Sequence, residues 1–153
     1  MKQFSVIHNT FVIERHYPTT AARVFAAFSN KEKKRRWHVD GKGFAIDEFE
    51  MDFRVGGKEI ARFRYENGPQ ITVDTVYQDI ILDNRIVFVY SMRVGDKTMS
   101  SSLTTVEFLQ AKNGTDLIFT EQDAFFDGID NVKGREEGTR AALEQLGEVL
   151  GNE

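Results

Sequence analysis

The stretch REEGTRAALEQLGEVL, residues 135–150, decides the fold because its apolar residues recur at the spacing of one helix face. A helix with one apolar stripe has to bury that stripe against a second layer of structure. We expect this helix to cover residues 131–150 and to pack on a β-sheet. The stripe consists of Thr139, Ala142, Leu143, Leu146, Val149 and Leu150.

The chain before this helix alternates apolar and polar residues, a pattern typical of strands with one buried face. About six strands are predicted over residues 44–125, separated by turn sequences such as Gly56-Gly57 and Asn113-Gly114. Connections this short require antiparallel neighbours. A further strand is predicted over residues 4–17.

Two short helices follow the first strand. Thr20 is the expected N-cap of AARVFAAF, and residues 29–32, Ser-Asn-Lys-Glu, resemble a capping box before KEKKRRW. The element order is therefore β-α-α-β6-α, an α+β fold in which a curved antiparallel sheet wraps a long C-terminal helix. Gly56-Gly57 would either let the sheet bend sharply or form a simple hairpin turn.

Composition limits the classes of function. The 153 residues predict one domain, 1–153, and thirteen phenylalanines require a core or an apolar cavity. A net charge of −4 argues against a nucleic-acid partner, and the absence of cysteine excludes disulfides and thiolate metal sites. No apolar segment has the length of a signal peptide core or a membrane span, so we expect a cytoplasmic protein.

Four stretches carry a family resemblance: IERHYPTTAARVFAAFSNKEKKRRW (13–37), DFRVGGKE (52–59), TEQDAFFDGID (120–130) and REEGTRAALEQLGEVL (135–150). In this order they resemble the START-like superfamily of helix-grip proteins, which is also called SRPBCC or birch-pollen-allergen-like. Within it, the chain resembles small bacterial proteins related to the activator of the heat-shock-protein-90 ATPase. The resemblance implies a cavity between the concave face of the sheet and the C-terminal helix.

Strand alternation predicts which side chains face that cavity. Over residues 85–92 the register stays open, because both faces are apolar: either Phe88, Tyr90 and Met92 or Val87 and Val89 point inward. A solid core built from the same residues is the alternative to a cavity. The predicted ligand-binding residues are Trp37, Phe63, Tyr65, Val73, Tyr77, Phe88, Tyr90, Phe119, Glu121, Thr139 and Leu143.

Glu121 is the most specific of these predictions, because it shares a strand face with Phe119. A carboxylate in apolar surroundings must find a partner or take up a proton. The partners we expect are Tyr65, Tyr77 or Arg140. The alternative is a glutamate at the sheet edge with its carboxylate in water.

Two other features allow two interpretations each, and a third supports one prediction. Trp37 either covers the mouth of the cavity or packs in the core. The basic residues of KEKKRRW are either solvated or form a patch for an acidic partner or anionic lipid. Gly138 interrupts the last helix, and we expect its missing side chain to leave room for the cavity.

Three functions follow from these observations. The first is a carrier or sensor for a small hydrophobic or aromatic ligand, with no catalytic residue, metal or cofactor assigned. The second is an enzyme of the polyketide cyclase or aromatase kind, using Glu121 as an acid or base. The third, implied by the resemblance, is a partner of a chaperone ATPase. The activator itself has an additional N-terminal domain, and we expect no room for that domain in a 153-residue chain. Exposed apolar residues over 85–92 would also be compatible with a homodimer.

Overall fold

The computed structural model describes residues 4–39, 44–130 and 132–153. The described part contains seven strands and three α-helices in the predicted order β-α-α-β6-α. The strands are β1 (Val6–Tyr17), β2 (Phe44–Met51), β3 (Lys58–Tyr65), β4 (Gln70–Ile81), β5 (Arg85–Val94), β6 (Lys97–Ala111) and β7 (Gly114–Phe126). The helices are α1 (Ala21–Ser29), α2 (Lys31–Lys34), which continues into a π-helical turn (Arg35–Val39), and α3 (Val132–Gly151).

The strands form one antiparallel sheet in the order β1-β7-β6-β5-β4-β3-β2. Register shifts in β2, β4 and β6 mark bulges, which increase the local bend of the sheet. All three helices cover the inner face of this sheet, so the predicted α+β helix-grip fold is confirmed. Among the described residues, no helix combines the length and apolar character needed to cross a membrane.

The C-terminal half of α3 is anchored on β1 and the neighbouring helices. Leu143, Leu146 and Leu150 are buried, and each contributes roughly 1.5–3 kcal/mol to folding. The hydroxyl of Tyr17 donates to the carbonyl oxygen of Leu143 at 2.8 Å. A Cβ at Gly147 would lie 3.4 Å from the Tyr17 ring, so a small residue allows this close contact.

Below α1, the interior is solid. The rings of Phe25 and Phe28 each lie 5.3 Å from the ring of Phe108, in edge-to-face arrangements. Val24 and Ala27 complete the buried face of α1. The predicted N-cap is confirmed, because the Thr20 hydroxyl accepts from the Arg23 amide. The space between α1 and the sheet is therefore filled by side chains.

Gly56-Gly57 forms a tight turn, and the turn also pairs with β4. The Gly57 amide donates to the Arg54 carbonyl, while Gly56 and Gly57 exchange backbone hydrogen bonds of 2.8 and 3.0 Å with Tyr77. Gly56 has a φ of 82°, and a Cβ at Gly57 would lie 2.1 Å from the Asp52 carbonyl oxygen. The two glycines thereby fix Tyr77 beside the start of β3.

The interpretation of Gly138 was wrong. A Cβ built there would meet no atom within 4 Å, and the residue is exposed on α3. Its missing side chain therefore makes no space inside the molecule.

We expect Gly138→Ala to raise the free energy of unfolding by about 0.5–1 kcal/mol, because alanine restricts the unfolded chain and favours a helix. Urea unfolding would measure the change. The matched control is Gly128→Ala, which should lower stability because Gly128 has a φ of 66°. A destabilised Gly138→Ala variant would contradict the assignment of Gly138 to an open helix surface.

Candidate functional site

A row of polar side chains crosses the inner face of the sheet. Each member is paired in register with the next one, from β3 across to β1, so the row runs perpendicular to the strands. An inner sheet face is normally apolar, and buried polar groups require partners. The row consists of Glu59, Thr75, Tyr90, Ser102, Asp123 and Asn9.

One end of the row is covered by a buried lysine from α2. Nζ of Lys34 lies 2.6 Å from Oε1 of Glu59, and the Tyr77 hydroxyl donates to the same oxygen at 2.5 Å. The ammonium group also lies over the rings of Tyr77 and Phe88, 5.9 and 5.7 Å from their centroids. We call Lys34, Glu59 and Tyr77 the lysine cluster.

The electrostatics of the lysine cluster keep Glu59 ionised. Burial alone would raise the pKa of Glu59, but the charge of Lys34, the interaction with His38, whose Nε2 lies 3.9 Å from Oε2, and the hydrogen bonds from Lys34 and Tyr77 bring it below its ordinary value. Burial and the negative charge of Glu59 raise the pKa of Tyr77, which therefore stays protonated as a donor. The cluster is a satisfied ion pair closed by a tyrosine.

The other half of the row is covered by Arg135 from the first turn of α3. Its guanidinium donates to the hydroxyls of Ser100 at 2.8 Å, Tyr90 at 3.1 Å and Ser102 at 3.3 Å, and it pairs with Asp130. The oxygens of Glu121 and Asp123 lie 3.8 and 3.7 Å from Nη1. We call Arg135, Glu121, Asp123, Asp130, Tyr90, Ser100 and Ser102 the arginine cluster.

Glu121 points inward, and both of its oxygens have donors. Oε2 accepts from the Tyr90 hydroxyl at 2.9 Å, and Oε1 accepts from the Thr104 hydroxyl at 3.0 Å. The expected partners Tyr65, Tyr77 and Arg140 were therefore wrong. Arg140 is solvent-exposed and pairs with Glu136, and Tyr77 belongs to the lysine cluster.

Protonation at the arginine cluster is unusual. Burial, and then the adjacent carboxyl of Asp123, raise the pKa of Glu121 to about 8. Burial and the charge of Glu121 raise the pKa of Tyr90 as well. Oδ1 of Asp123 accepts from the Ser102 hydroxyl at 2.5 Å, whereas Oδ2 is buried without a hydrogen-bond partner among the described residues.

An apolar wall borders the two clusters on the inner faces of β2 to β5. Its side chains point inward and remain half-buried, unlike the fully buried side chains under α1. Phe88 lies between the clusters, with its ring 6.2 Å from Tyr77 and 6.1 Å from Tyr90. The concavity is thus solid at one end and partly open at the other. The wall consists of Ile46, Phe63, Ile71, Val73 and Met92.

Residues 18–151 match the family described as Activator of Hsp90 ATPase homolog 1-like protein, AHSA1. The chain belongs to the AHSA1 family. The family resemblance found in the sequence is therefore confirmed. No curated protein matches the chain.

Solved structures from the same comparison share the whole fold. The Mll3558 protein of Rhizobium loti is 56% identical over 95% of this chain and 99% of that chain, with a TM-score of 0.88. A protein of Rhizobium leguminosarum is 38% identical over 98% and 99% of the two chains, with a TM-score of 0.94. An AHSA1-like protein of Aeromonas hydrophila, 17% identical over 94% and 93%, has a TM-score of 0.72 and shows the fold alone.

All predicted site residues of this AHSA1 protein except Tyr65 fall into three groups. The lysine and arginine clusters contain Tyr77, Tyr90 and Glu121, and Phe88 lies between the two clusters. The apolar wall contains Phe63 and Val73. The packed interior and α3 contain Trp37, Phe119, Leu143 and Thr139, the last with its hydroxyl donating to the Arg135 carbonyl. Tyr65 is 53% exposed at the end of β3.

The structure also settles alternatives that the sequence left open. Over residues 85–92 the inward set is Phe88, Tyr90 and Met92, in register with inner-face residues of β4 and β6. Trp37 packs in the core, because its indole N–H donates to the Ala27 carbonyl at 2.8 Å and its ring lies 4.7 Å from Phe28. Within the basic helix, neither interpretation fits Lys34, which is buried.

Sequence analysis missed Lys34, Glu59, Asp123 and Arg135, although three of them had a detectable signal. Glu59 and Asp123 lie at even spacing from Phe63 and Glu121, so the same alternation places them on the inner face. Arg135 precedes Thr139 by four residues and extends the α3 stripe by one turn. Lys34 sits among exposed lysines and arginines with no distinguishing pattern.

Proposed function

We propose that this AHSA1 protein binds a small hydrophobic or aromatic molecule in the concavity between the sheet and α3. The apolar part of the ligand would lie on Phe63, Val73 and Met92, and its polar end would face the arginine cluster. One observation carries the proposal: half-buried apolar side chains on the inner sheet face adjoin a buried, highly polar cluster. Few convergent polar groups beside an apolar surface are typical of ligand sites.

Binding fits the geometry better than acid–base catalysis does. The pKa of Glu121, raised by burial to about 8, would suit a proton donor near neutral pH. However, both of its oxygens already accept hydrogen bonds, from the hydroxyls of Tyr90 and Thr104. The role of a chaperone ATPase activator belongs to the proteins named in the family description and stays a prediction here.

We expect Val73→Phe to weaken binding of the uncharged dye N-phenyl-1-naphthylamine about tenfold or more, because the larger ring would occupy the open wall. Val73 lies opposite Ala61 and Met92, and it is only half-buried. Dye fluorescence on titration would measure the affinity. Native mass spectrometry of the purified protein would separately detect co-purified apolar molecules.

The matched control is Thr72→Phe, which adds a ring to the outer face of β4, where Thr72 pairs with Arg62 and Arg93. It should change dye affinity less than twofold. A solid interior would instead make Val73→Phe an overpacking change that costs about 1–3 kcal/mol of stability. Loss of stability together with absence of dye binding to the wild type would refute the proposed site.

A further inference from the structure

The arginine cluster carries more negative than positive charge. The carboxylates of Glu121, Asp123 and Asp130 face one guanidinium among the described residues, that of Arg135. Tyr90, the remaining titratable group that faces them, keeps its proton, because burial and Glu121 raise its pKa. With every carboxyl ionised, the cluster would have a formal charge of −2. A buried site of this sign favours a cation or a proton.

The geometry also shows where a further donor would bind. The N–H groups of Arg135 are directed to Ser100, Ser102, Tyr90 and Asp130, so the guanidinium stays 3.7 Å from Asp123. While Glu121 is ionised, Oδ2 of Asp123 has no hydrogen-bond partner among the described residues, although the side chain is 0% exposed. Burial and a hydrogen bond with Asp123 raise the pKa of Glu121, so protonated Glu121 donates to the Asp123 carboxyl, and a bound ammonium group would take the place of that proton.

We propose that the ligand is a hydrophobic or aromatic amine whose ammonium group donates to Oδ2 of Asp123. This inference rests on the proposed function, because it names the polar end of the same ligand. The rings of Tyr90 and Phe125 already hold the Arg135 guanidinium 5.6 and 5.2 Å from their centroids and can stabilise a second cation. The described carboxylates form no group that could hold a metal ion, which favours an organic cation.

Glu121 supplies an independent readout of this binding mode. Burial and the Asp123 carboxyl raise its pKa to about 8, so Glu121 is mostly protonated at pH 7 in the free protein. An arriving ammonium group favours the ionised form, and binding should therefore release a proton. The affinity for the amine should rise as pH increases from 6 to 8, whereas the affinity for an uncharged analogue should not change.

Three probes with one ring system test the charge preference in the wild-type protein: 2-naphthylmethylamine, 2-naphthylmethanol and 2-naphthoic acid. Isothermal titration calorimetry in two buffers of different ionisation enthalpy would give both affinity and proton release. We expect the amine to bind at least tenfold more tightly than the alcohol, with proton release, and the acid to bind most weakly.

The outcomes distinguish this inference from the function it rests on. Tightest binding of the alcohol or the acid would overturn the amine proposal and leave the ligand-binding function standing. Binding of none of the three probes, together with no binding of N-phenyl-1-naphthylamine, would overturn both.

Asp123→Asn tests the contact itself. Asparagine keeps an acceptor for the Ser102 hydroxyl and places an N–H₂ donor where Oδ2 now lies. The ratio of amine affinity to alcohol affinity should then fall about tenfold. In a folded variant, an equal loss for both probes or an unchanged amine affinity would refute the contact.

Discussion

Lys34→Met is expected to lower the free energy of unfolding by about 3–5 kcal/mol at pH 7. The substitution fits the volume of the lysine stem but leaves Glu59 ionised, buried and without its cation, and removing one member of a buried pair has a cost of this size. The Lys34 side chain is only 6% exposed, and its ammonium group lies 2.6 Å from Glu59. Urea unfolding followed by circular dichroism would measure the loss.

Two variants separate the ion pair from general effects of the substitution. Lys33→Met changes the adjacent residue, whose side chain is 38% exposed and 3.9 Å from Glu153, and should cost less than about 0.5 kcal/mol. Lys34→Met combined with Glu59→Gln removes both charges and keeps an acceptor for Tyr77. Stability of this double variant should return to within about 1–2 kcal/mol of the wild type.

The pH dependence of the loss has a definite sign. In the wild type, Lys34 and the hydrogen bonds lower the pKa of Glu59 despite its burial. Its stabilising contribution is therefore present above the pKa of the unfolded chain and disappears as pH falls through the folded value. In Lys34→Met, Glu59 can take up a proton, and so can the adjacent His38, whose pKa is lowered by burial and the charge of Lys34 in the wild type. The deficit should therefore be smaller at pH 5 than at pH 7. A deficit that is independent of pH would contradict the role of Glu59.

The sequence predicted the scaffold well because period-two strands, short turns and one apolar helix stripe agree with one another. The strands, the α3 stripe and the cap at Thr20 each depend on local pattern, and the structure confirms them. The same alternation placed Glu121 on one face with Phe119, and the structure shows that this face is the inner one. Local pattern is sufficient for a prediction that concerns only the strand or helix in which the residue lies.

The partners across the concavity were not predictable in the same way. Glu121 meets Tyr90, Thr104 and Arg135, and the pairing depends on the register of β5 and β6 and on the position where α3 begins. Lys34 meets Glu59 because α2 lies over β3, a contact between residues separated by the π-helical turn and a strand. Long-range distances of this kind are set by packing, and alternation within a single strand contains no information about them.

Arg135→Met is expected to lower the free energy of unfolding by about 3–5 kcal/mol at pH 7, because Arg135 is the counter-ion of the buried carboxylates. The Asp123 side chain is 0% exposed, so its carboxylate would lose its cation without gaining water. Ser100, Ser102 and Tyr90 would also lose a donor. Arg135→Lys should recover less than half of the loss, because an ammonium group cannot reach these partners with a planar fork.

The matched control is Arg140→Met on the same helix, where the side chain is 50% exposed and pairs with Glu136 at 2.9 Å. This change should cost no more than about 0.5 kcal/mol.

Burial and Asp123 raise the pKa of Glu121 to about 8 in the wild type, so its stabilising contribution is complete below the unfolded pKa and is lost as pH rises through 8. Without Arg135 the Glu121 carboxyl should hold its proton more strongly, because the charge of Arg135 lowers its pKa, and the deficit of Arg135→Met should be smaller at pH 5 than at pH 8. Equal losses for Arg135→Met and Arg140→Met would show that the inward carboxylates do not depend on Arg135.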